Sequence, residues 1–267
     1  MIFTAIVLLI GSNRHYANAT GPRAAERAIE ITSSLIDLAR CEIDMEPFPD
    51  YISTKAKSHS KPTICFDEWN VWNPGKAPGD KGGEQLYDLS DMLAMAVWLN
   101  VFIRQARYIG MATVAQSVNV ISPLMTTERG IIKQTTYWPL LLFSKYMRGK
   151  SLATHVRAAT YTGRTFPEFL ASTVDLPILD VSAALSDDGY MNLAVVNISE
   201  CEAMDSDLPA LTGPVEVFMV GGDKNGIRDV NLEGSEKVSI QEFKWDGKGK
   251  FRFEKHSFTL LRWKAFA

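Results

Sequence analysis

Long, nearly unbroken apolar runs alternate with helix-like stretches through the first 150 residues, and this pattern stops after about residue 178. That change of texture limits the folds open to the chain more than its composition does. Residues 2–10 read as a buried strand rich in Ile, Val and Leu. Residues 22–40 read as a helix. Pro22 suits its first turn, and Ala25, Ala28, Ile29, Leu35, Ile36 and Ala39 recur at helical spacing, interrupted by Thr32. A polar, proline-bearing loop over 42–61 leads to a second strand at 62–69, and the Gly- and Pro-rich stretch 73–83 is a loop. A helix at 86–107, a strand at 111–121, a turn at Glu128-Arg129-Gly130 and a helix at 134–147 follow. Apolar strands separated by helices argue for parallel strands joined by helical crossovers.

Beyond residue 178 the strands become short and alternating. DVSAALSDDGYMNLAVVNIS reads as strand, Asp-Asp-Gly turn and strand, and PVEVFMVGG, KVSIQEFKW and FRFEKHSFTLLRWKA continue the series. This is the pattern of an antiparallel β-domain, here expected as a sandwich. The expected division is an α/β part over 1–150, a connecting segment over 151–177 and the β-sandwich over 178–267.

The 267 residues can bury a substantial core, and 46% hydrophobic with 22% charged residues is ordinary for a globular chain. A net charge of −3 with no basic run gives nucleic acid nothing to bind electrostatically. The apolar start MIFTAIVLLIG is too short to span a membrane and lacks the basic leader and cleavage site of a signal peptide. Sequons at Asn18-Ala19-Thr20 and Asn197-Ile198-Ser199 permit glycosylation if the chain is secreted, so the compartment stays open. Cys41, Cys65 and Cys201 are too few for a disulfide framework or a metal cluster; they are expected as buried thiols, with one bridge allowed. His15, His59, His155 and His256 lie at no ligand spacing. No cofactor is called for.

The chemistry-bearing stretch is ICFDEWNVW, residues 64–72. It starts as a buried strand and then sets Asp67 and Glu68 against Trp69 and Trp72. In parallel α/β sheets chemistry sits at the C-terminal ends of strands. Strict alternation would point the two acids in different directions. A carboxylate beside an aromatic platform at such an end is the layout of a glycosidase nucleophile. The same pair also fits a solvated turn or a helix cap.

FDEWNVW, followed by AQSVNVISPLMT and KQTTYWPLLLFSKYMRG, resembles the α-L-arabinofuranosidases of glycoside hydrolase family 51, the fungal branch most closely. The similarity runs from about residue 16 to the end and includes SDMLAMAVWLNVFIRQA and HSFTLLRWKA. The resemblance implies a (β/α)8 TIM barrel joined to a β-sandwich, of which this chain holds about three βα units and the sandwich. It implies release of terminal α-L-arabinofuranosyl units from arabinan, arabinoxylan and arabino-oligosaccharides, with retention of configuration. It assigns the nucleophile to Glu68, the wall of the sugar site to Trp72 and a hydrogen bond to the furanose hydroxyls to Gln116. A strand-end amide satisfied by backbone is the plainer reading of Gln116. Trp69 and Asn70 are expected to support Glu68, and Asp67 to hold the loop or the sugar's surroundings rather than the leaving group.

The match has gaps. A retaining glycosidase needs a second carboxyl group about 5–5.5 Å from the first. In the family this is a glutamate after an asparagine at the end of strand four, and this sequence contains no Asn-Glu pair. MIFTAIVLLI stands where the family carries a sugar-contacting His and Tyr, and His15-Tyr16 falls outside that register. The expectation is therefore the C-terminal half of such an enzyme. Three parallel strands cannot close a barrel, and open edges invite association, so a homo-oligomer is allowed. The competing expectations are an inactive fragment or carbohydrate-binding remnant using Trp72 and the sandwich, and a purely structural β-domain.

Overall fold

The computed structural model of the chain describes residues 2–3, 15–45, 62–73, 76, 82–161, 165, 175–208, 211 and 213–265. The strand expected over 2–10 is described only as β1, Ile2–Phe3, and the rest of it lies outside the described residues, as do residues 46–61 of the expected loop.

Two helices follow. α1, His15–Thr20, has no signature in the sequence; α2 runs from Pro22 to Met45. α2 is longer than expected, and its faces are not those the spacing suggested. Ala25, Ile29, Thr32 and Ile36 are buried, whereas Leu35 and Ala39 lie on the outer surface. Thr32 thus continues the inner face, because a hydroxyl can sit among apolar groups once its hydrogen bonds are met.

β2, Ile64–Trp69, pairs in parallel with β1 on one side and with β3, Ile109–Val114, on the other. These three strands form one open parallel sheet in the order β1-β2-β3; the described residues close no barrel. β3 stops seven residues short of its expected end. Gln116, Asn119 and Ile121 have left-handed backbones at φ 59°, 67° and 47°, which breaks the extended ladder. A small hairpin of β4, Leu124–Thr127, and β5, Gly130–Lys133, occupies the place where only a turn was expected. The Thr127 hydroxyl accepts from the backbone N–H groups of Arg129 and Gly130 and fixes its bend.

Between β2 and β3 runs α3, Leu89–Arg104, and α4, Tyr137–Tyr146, follows the hairpin. Every residue of α3 from Leu89 to Phe102 except Leu99 is buried. A helix that is apolar all round belongs in a core. Met95, Trp98, Val101 and Phe102 pack on α2 and on Ile64, Phe66 and Trp69 of β2. Met92, Leu93, Ala96 and Val97 pack instead toward α4 and the C-terminal sheet.

That sheet has six antiparallel strands, built from β6 (Lys150–Leu152), β7 (Leu179–Leu185), β8 (Tyr190–Asn197), β10 (Val215–Gly221), β11 (Gln241–Trp245) and β13 (Ser257–Lys264) in the order β11-β10-β13-β8-β7-β6. Its edge strand β6 comes from the segment expected as a connector. Among the described residues the second layer of the expected sandwich is a two-stranded ribbon of β9, Met204–Ser206, and β12, Phe251–Phe253. Phe251 and Phe253 press on Val195, Val217 and Trp263, while α3 and α4 cover the opposite face.

Arg104, at the end of α3, ties α2 to the six-stranded sheet. It donates to both carboxylate oxygens of Glu26 on α2, at 2.7 and 3.0 Å, and to both of Asp180 on β7, at 3.0 and 3.1 Å. Burial works against the Arg104 charge, but Asp180 and Glu26 outweigh it and raise its pKa above the ordinary value. Asn100 donates to Asp180 as well and accepts from Ser182. The cysteines are all free, and Cys41 and Cys201 are exposed rather than buried, with Cys65 half-buried. Both sequon asparagines are buried and hydrogen-bonded, Asn18 to Asp91 and Asn197 to two backbone carbonyls, so neither can carry a glycan in this fold. Among the described residues no helix is long and apolar enough to cross a membrane.

Candidate active site

The end of β2 departs from regular strand geometry where the two acids lie. Phe66 pairs with Ala112 and Trp69 with Val114, so three steps on β2 oppose two on β3. This is a β-bulge. Its cause is visible in the packing. Phe66 and Trp69, three residues apart, both meet Trp98 and Phe102 of α3, with Phe66 centroids at 5.6 and 5.4 Å and Trp69 centroids at 5.9 and 4.9 Å. A regular strand could not turn both rings to one face. The bulge therefore brings Trp69 to the same face as Phe66, and one carboxylate oxygen of Asp67 is enclosed. Asp67 is half-buried and Glu68 exposed. The Thr113 hydroxyl donates to the Asp67 carbonyl, and the Ala115 N–H donates to the Trp69 carbonyl at 3.1 Å, closing the ladder beyond the bulge.

Trp72 lies three residues past the end of β2, half-buried, with its indole N–H enclosed and given no protein acceptor. Gln116 stands two residues past the end of β3, exposed and in the left-handed conformation. Glu68, Trp72 and Gln116 thus share the C-terminal edge of two neighbouring parallel strands. Residues held in sparsely populated backbone regions gather at functional sites.

Beneath this edge lies a polar web. Asn70 accepts from the Val71 N–H at 2.7 Å and donates to the carbonyls of Ala115 and Ile121, which joins the two loops. Tyr87 donates its hydroxyl to the Val71 carbonyl at 2.7 Å, and burial pushes that phenol well above its ordinary pKa. Gln134 accepts from the Tyr87 N–H and donates to the carbonyls of Gln85 and Ser122; Gln85 accepts from the Asn73 N–H. Asn70 was legible beside the acids. Gln85, Tyr87 and Gln134 were not, because no local pattern marks an amide whose partners lie far along the chain.

The loop that follows Trp72 is anchored through Lys76. Its ammonium donates to Asp88 at 2.8 Å and to Asp91 at 2.6 Å. Asp88 is the N-cap of α3 and forms a reciprocal capping box with Asp91. Burial opposes ionisation of both, but Lys76 and Arg228 hold Asp88 below its usual range. Burial and the neighbouring Asp88 charge push Asp91 up to about 7. His15 is a structural group: Ser90 meets its Nδ1 at 2.9 Å and its Nε2 donates to the Ile198 carbonyl at 2.6 Å, while burial lowers its pKa. Tyr16 stacks on Tyr161 at 4.5 Å. Among the described residues no group of three or more His, Cys, Asp or Glu is placed to hold a metal ion.

Comparison with known proteins follows the same lines. The family profile described as "Alpha-L-arabinofuranosidase C-terminal domain" matches residues 67–257. Alpha-L-arabinofuranosidase C of Emericella nidulans is 52% identical over 261 residues, which cover 98% of this chain and 49% of that protein. Among solved structures, the alpha-L-arabinofuranosidase of Thermotoga maritima in complex with arabinose superposes with a TM-score of 0.70 at 21% identity, over 98% of this chain and 52% of that one. AbfB of Bifidobacterium longum, a family 51 alpha-L-arabinofuranosidase, gives 0.71 at 18% identity, over 92% and 49%. At such identities the structural likeness speaks for the fold alone. The chain spans about half the length of the relatives it matches. The chain belongs to the family of the alpha-L-arabinofuranosidase C-terminal domain.

Proposed function

We propose that the chain supplies the nucleophile-bearing half of a retaining α-L-arabinofuranosidase that acts on terminal arabinofuranosyl groups of arabinan, arabinoxylan and arabino-oligosaccharides. The observation that carries this reading is the bulge in β2, which presents Glu68 at the C-terminal edge of a parallel strand beside Trp72 and the Gln116 loop. On this reading β1–β3 with their helices, within 1–150, belong to a (β/α)8 barrel; 151–177 connects and 178–267 is the sheet-rich domain. Glu68 attacks the anomeric carbon and forms a glycosyl ester, while the leaving oxygen takes a proton from an acid outside this chain's matched half. That group, now a base, then takes a proton from water, which releases arabinose and frees Glu68. Trp72 forms a wall of the sugar site and Gln116 bonds furanose hydroxyls.

The test is Glu68→Ala in a full-length version, with aryl arabinofuranoside hydrolysis as readout. Activity is expected to vanish, and retained hydrolysis would sink the assignment. A second reading, a carbohydrate-binding remnant, is favoured by the absence of any Asn-Glu pair in the sequence. The 267-residue chain separates the two. Binding of arabino-oligosaccharides without aryl release supports the remnant, and aryl release supports catalysis by Glu68.

A further inference from the structure

Trp72 is only half-buried, and the main chain on either side of it is pinned by buried side chains. The Val71 carbonyl accepts from the Tyr87 hydroxyl at 2.7 Å, and the Asn73 N–H donates to the Gln85 side-chain oxygen at 2.7 Å. The segment that bears these two grips is itself held by one residue. Gln134 accepts from the Tyr87 N–H at 2.7 Å and donates to the Gln85 carbonyl at 3.2 Å. The same amide donates to the Ser122 carbonyl at 2.9 Å, at the far end of the loop that carries Gln116. That loop has left-handed backbones at Gln116, Asn119 and Ile121. Such conformations persist only where the surroundings over-determine them. Gln134 lies between β5 and α4, 1% exposed, with its own N–H on the Pro123 carbonyl at 2.9 Å. Water could satisfy the backbone of a surface loop. A buried amide bonded to three separate main-chain groups does more, because a fully satisfied buried network fixes one geometry. Asn70 ties the two loops directly. One tie fixes a distance; a second, through Gln134, also fixes an orientation.

We propose that Gln134 is a positioning residue. From outside the site it holds Trp72, through Tyr87 and Gln85, in register with Gln116, through Ser122, so that both meet one furanose ring. The proposal rests on the reading of Trp72 and Gln116 as sugar contacts, and it adds the residue that sets their spacing. The two arms are separable. The Tyr87 hydroxyl acts on the Trp72 arm through Val71, whereas the Gln134 amide acts on both arms.

The experiment uses the isotope-labelled 267-residue chain, with arabinotriose as the probe. Nuclear magnetic resonance reads the Trp72 indole and Gln116 backbone signals, and a titration reads the dissociation constant. The variants are Gln134→Met, Gln134→Asn, which retracts the amide by one methylene, and Tyr87→Phe. The control is Asn197→Leu. Asn197 is an equally buried amide of the C-terminal sheet that donates to the Glu202 and Phe253 carbonyls and accepts from the Ser199 N–H. Gln134→Met is expected to move the Trp72 and Gln116 signals together and to weaken arabinotriose binding about tenfold. Gln134→Asn gives the same joint movement at smaller size, so the proposal stays testable where the methionine variant does not fold. Tyr87→Phe moves the Trp72 signal, leaves Gln116 in place and weakens binding less. Asn197→Leu lowers the midpoint of thermal unfolding and changes neither signal nor binding. Gln134 variants that lose stability as the control does, with both signals in place, overturn the proposal. Binding that survives the joint movement unchanged also overturns it. An unsubstituted chain that binds no arabinotriose, yet shows the joint movement, overturns the sugar reading and leaves the positioning of Trp72 and Gln116 by Gln134 standing.

Discussion

The two sheets of this molecule differ in how they are finished. The six-stranded antiparallel sheet has helices α3 and α4 over one face and the β9–β12 ribbon over much of the other, and its core residues Ala194, Val196, Val215, Val220, Phe258 and Leu260 are fully enclosed. Among the described residues the three-stranded parallel sheet has its core on the helix side and ends at β3. An antiparallel sheet can be completed by hairpins within one stretch of chain, whereas parallel strands need crossovers and further partners before they bury both faces. The reacting groups proposed here all belong to the unfinished unit.

Truncation of a core residue on α3, the helix that packs against both sheets, breaks this contrast most severely. Trp98 is fully buried between β2 and the rest of α3. Trp98→Ala is expected to cost about 5 kcal/mol, near the top of the range for a buried aromatic. If the two sheets unfold together, tryptophan fluorescence and far-UV dichroism lose the same stability in a denaturant titration. A loss confined to one probe would show that the units are independent. Removal of the ionic tie is next. Arg104→Met removes four bonds from the buried Glu26 and Asp180 and leaves them Arg23 as a cation, at 2.5 and 3.4 Å, and is expected to cost about 3 kcal/mol. Arg104→Lys, which cannot serve both carboxylates with two bonds each, is expected to recover only part of this. Full recovery with lysine would reduce the contact to simple charge.

The smallest effect sharpens the comparison through pH. Asp91 sits at about 7 in the fold, above the ordinary carboxylate value of about 4. The folded state therefore binds this proton more tightly. The stabilising contribution is complete below about pH 4 and is lost as pH rises through about 7. Asp88, held low by Lys76 and Arg228, acts in the opposite sense and only at more acidic pH. Asp91→Asn is expected to cost roughly 1 kcal/mol at pH 5 through the weakened cap and to flatten the fall in stability between pH 5 and 8. Parallel stability curves for the two proteins would contradict this.

The element order of the parallel unit was legible because its strands and helices follow strong apolar periodicities. The place of Glu68 at a strand end was legible from the abrupt change from Ile64-Cys65-Phe66 to two acids. The bulge was not, because it arises from Trp98 and Phe102, which lie 29 or more residues away in sequence. α2 misled in a specific way: two apolar faces on one helix blend into one pattern, and only tertiary contacts separate the buried Ile36 from the exposed Leu35. Short α1 is fixed by His15 through Ser90 and Ile198 rather than by its own propensity, and the left-handed backbone that ends β3 carries no glycine to announce it.

Because α3 is clad on one side by β2 and on the other by the six-stranded sheet, the C-terminal sheet is not a portable cassette. A gene fusion or a natural recombination event that took only residues 178–267 would strip away α3, α4 and β6, and leave a large apolar face in water. The strand that carries Glu68, α3 and the sheet domain are therefore parts of one packed body that a cut at residue 178 would divide.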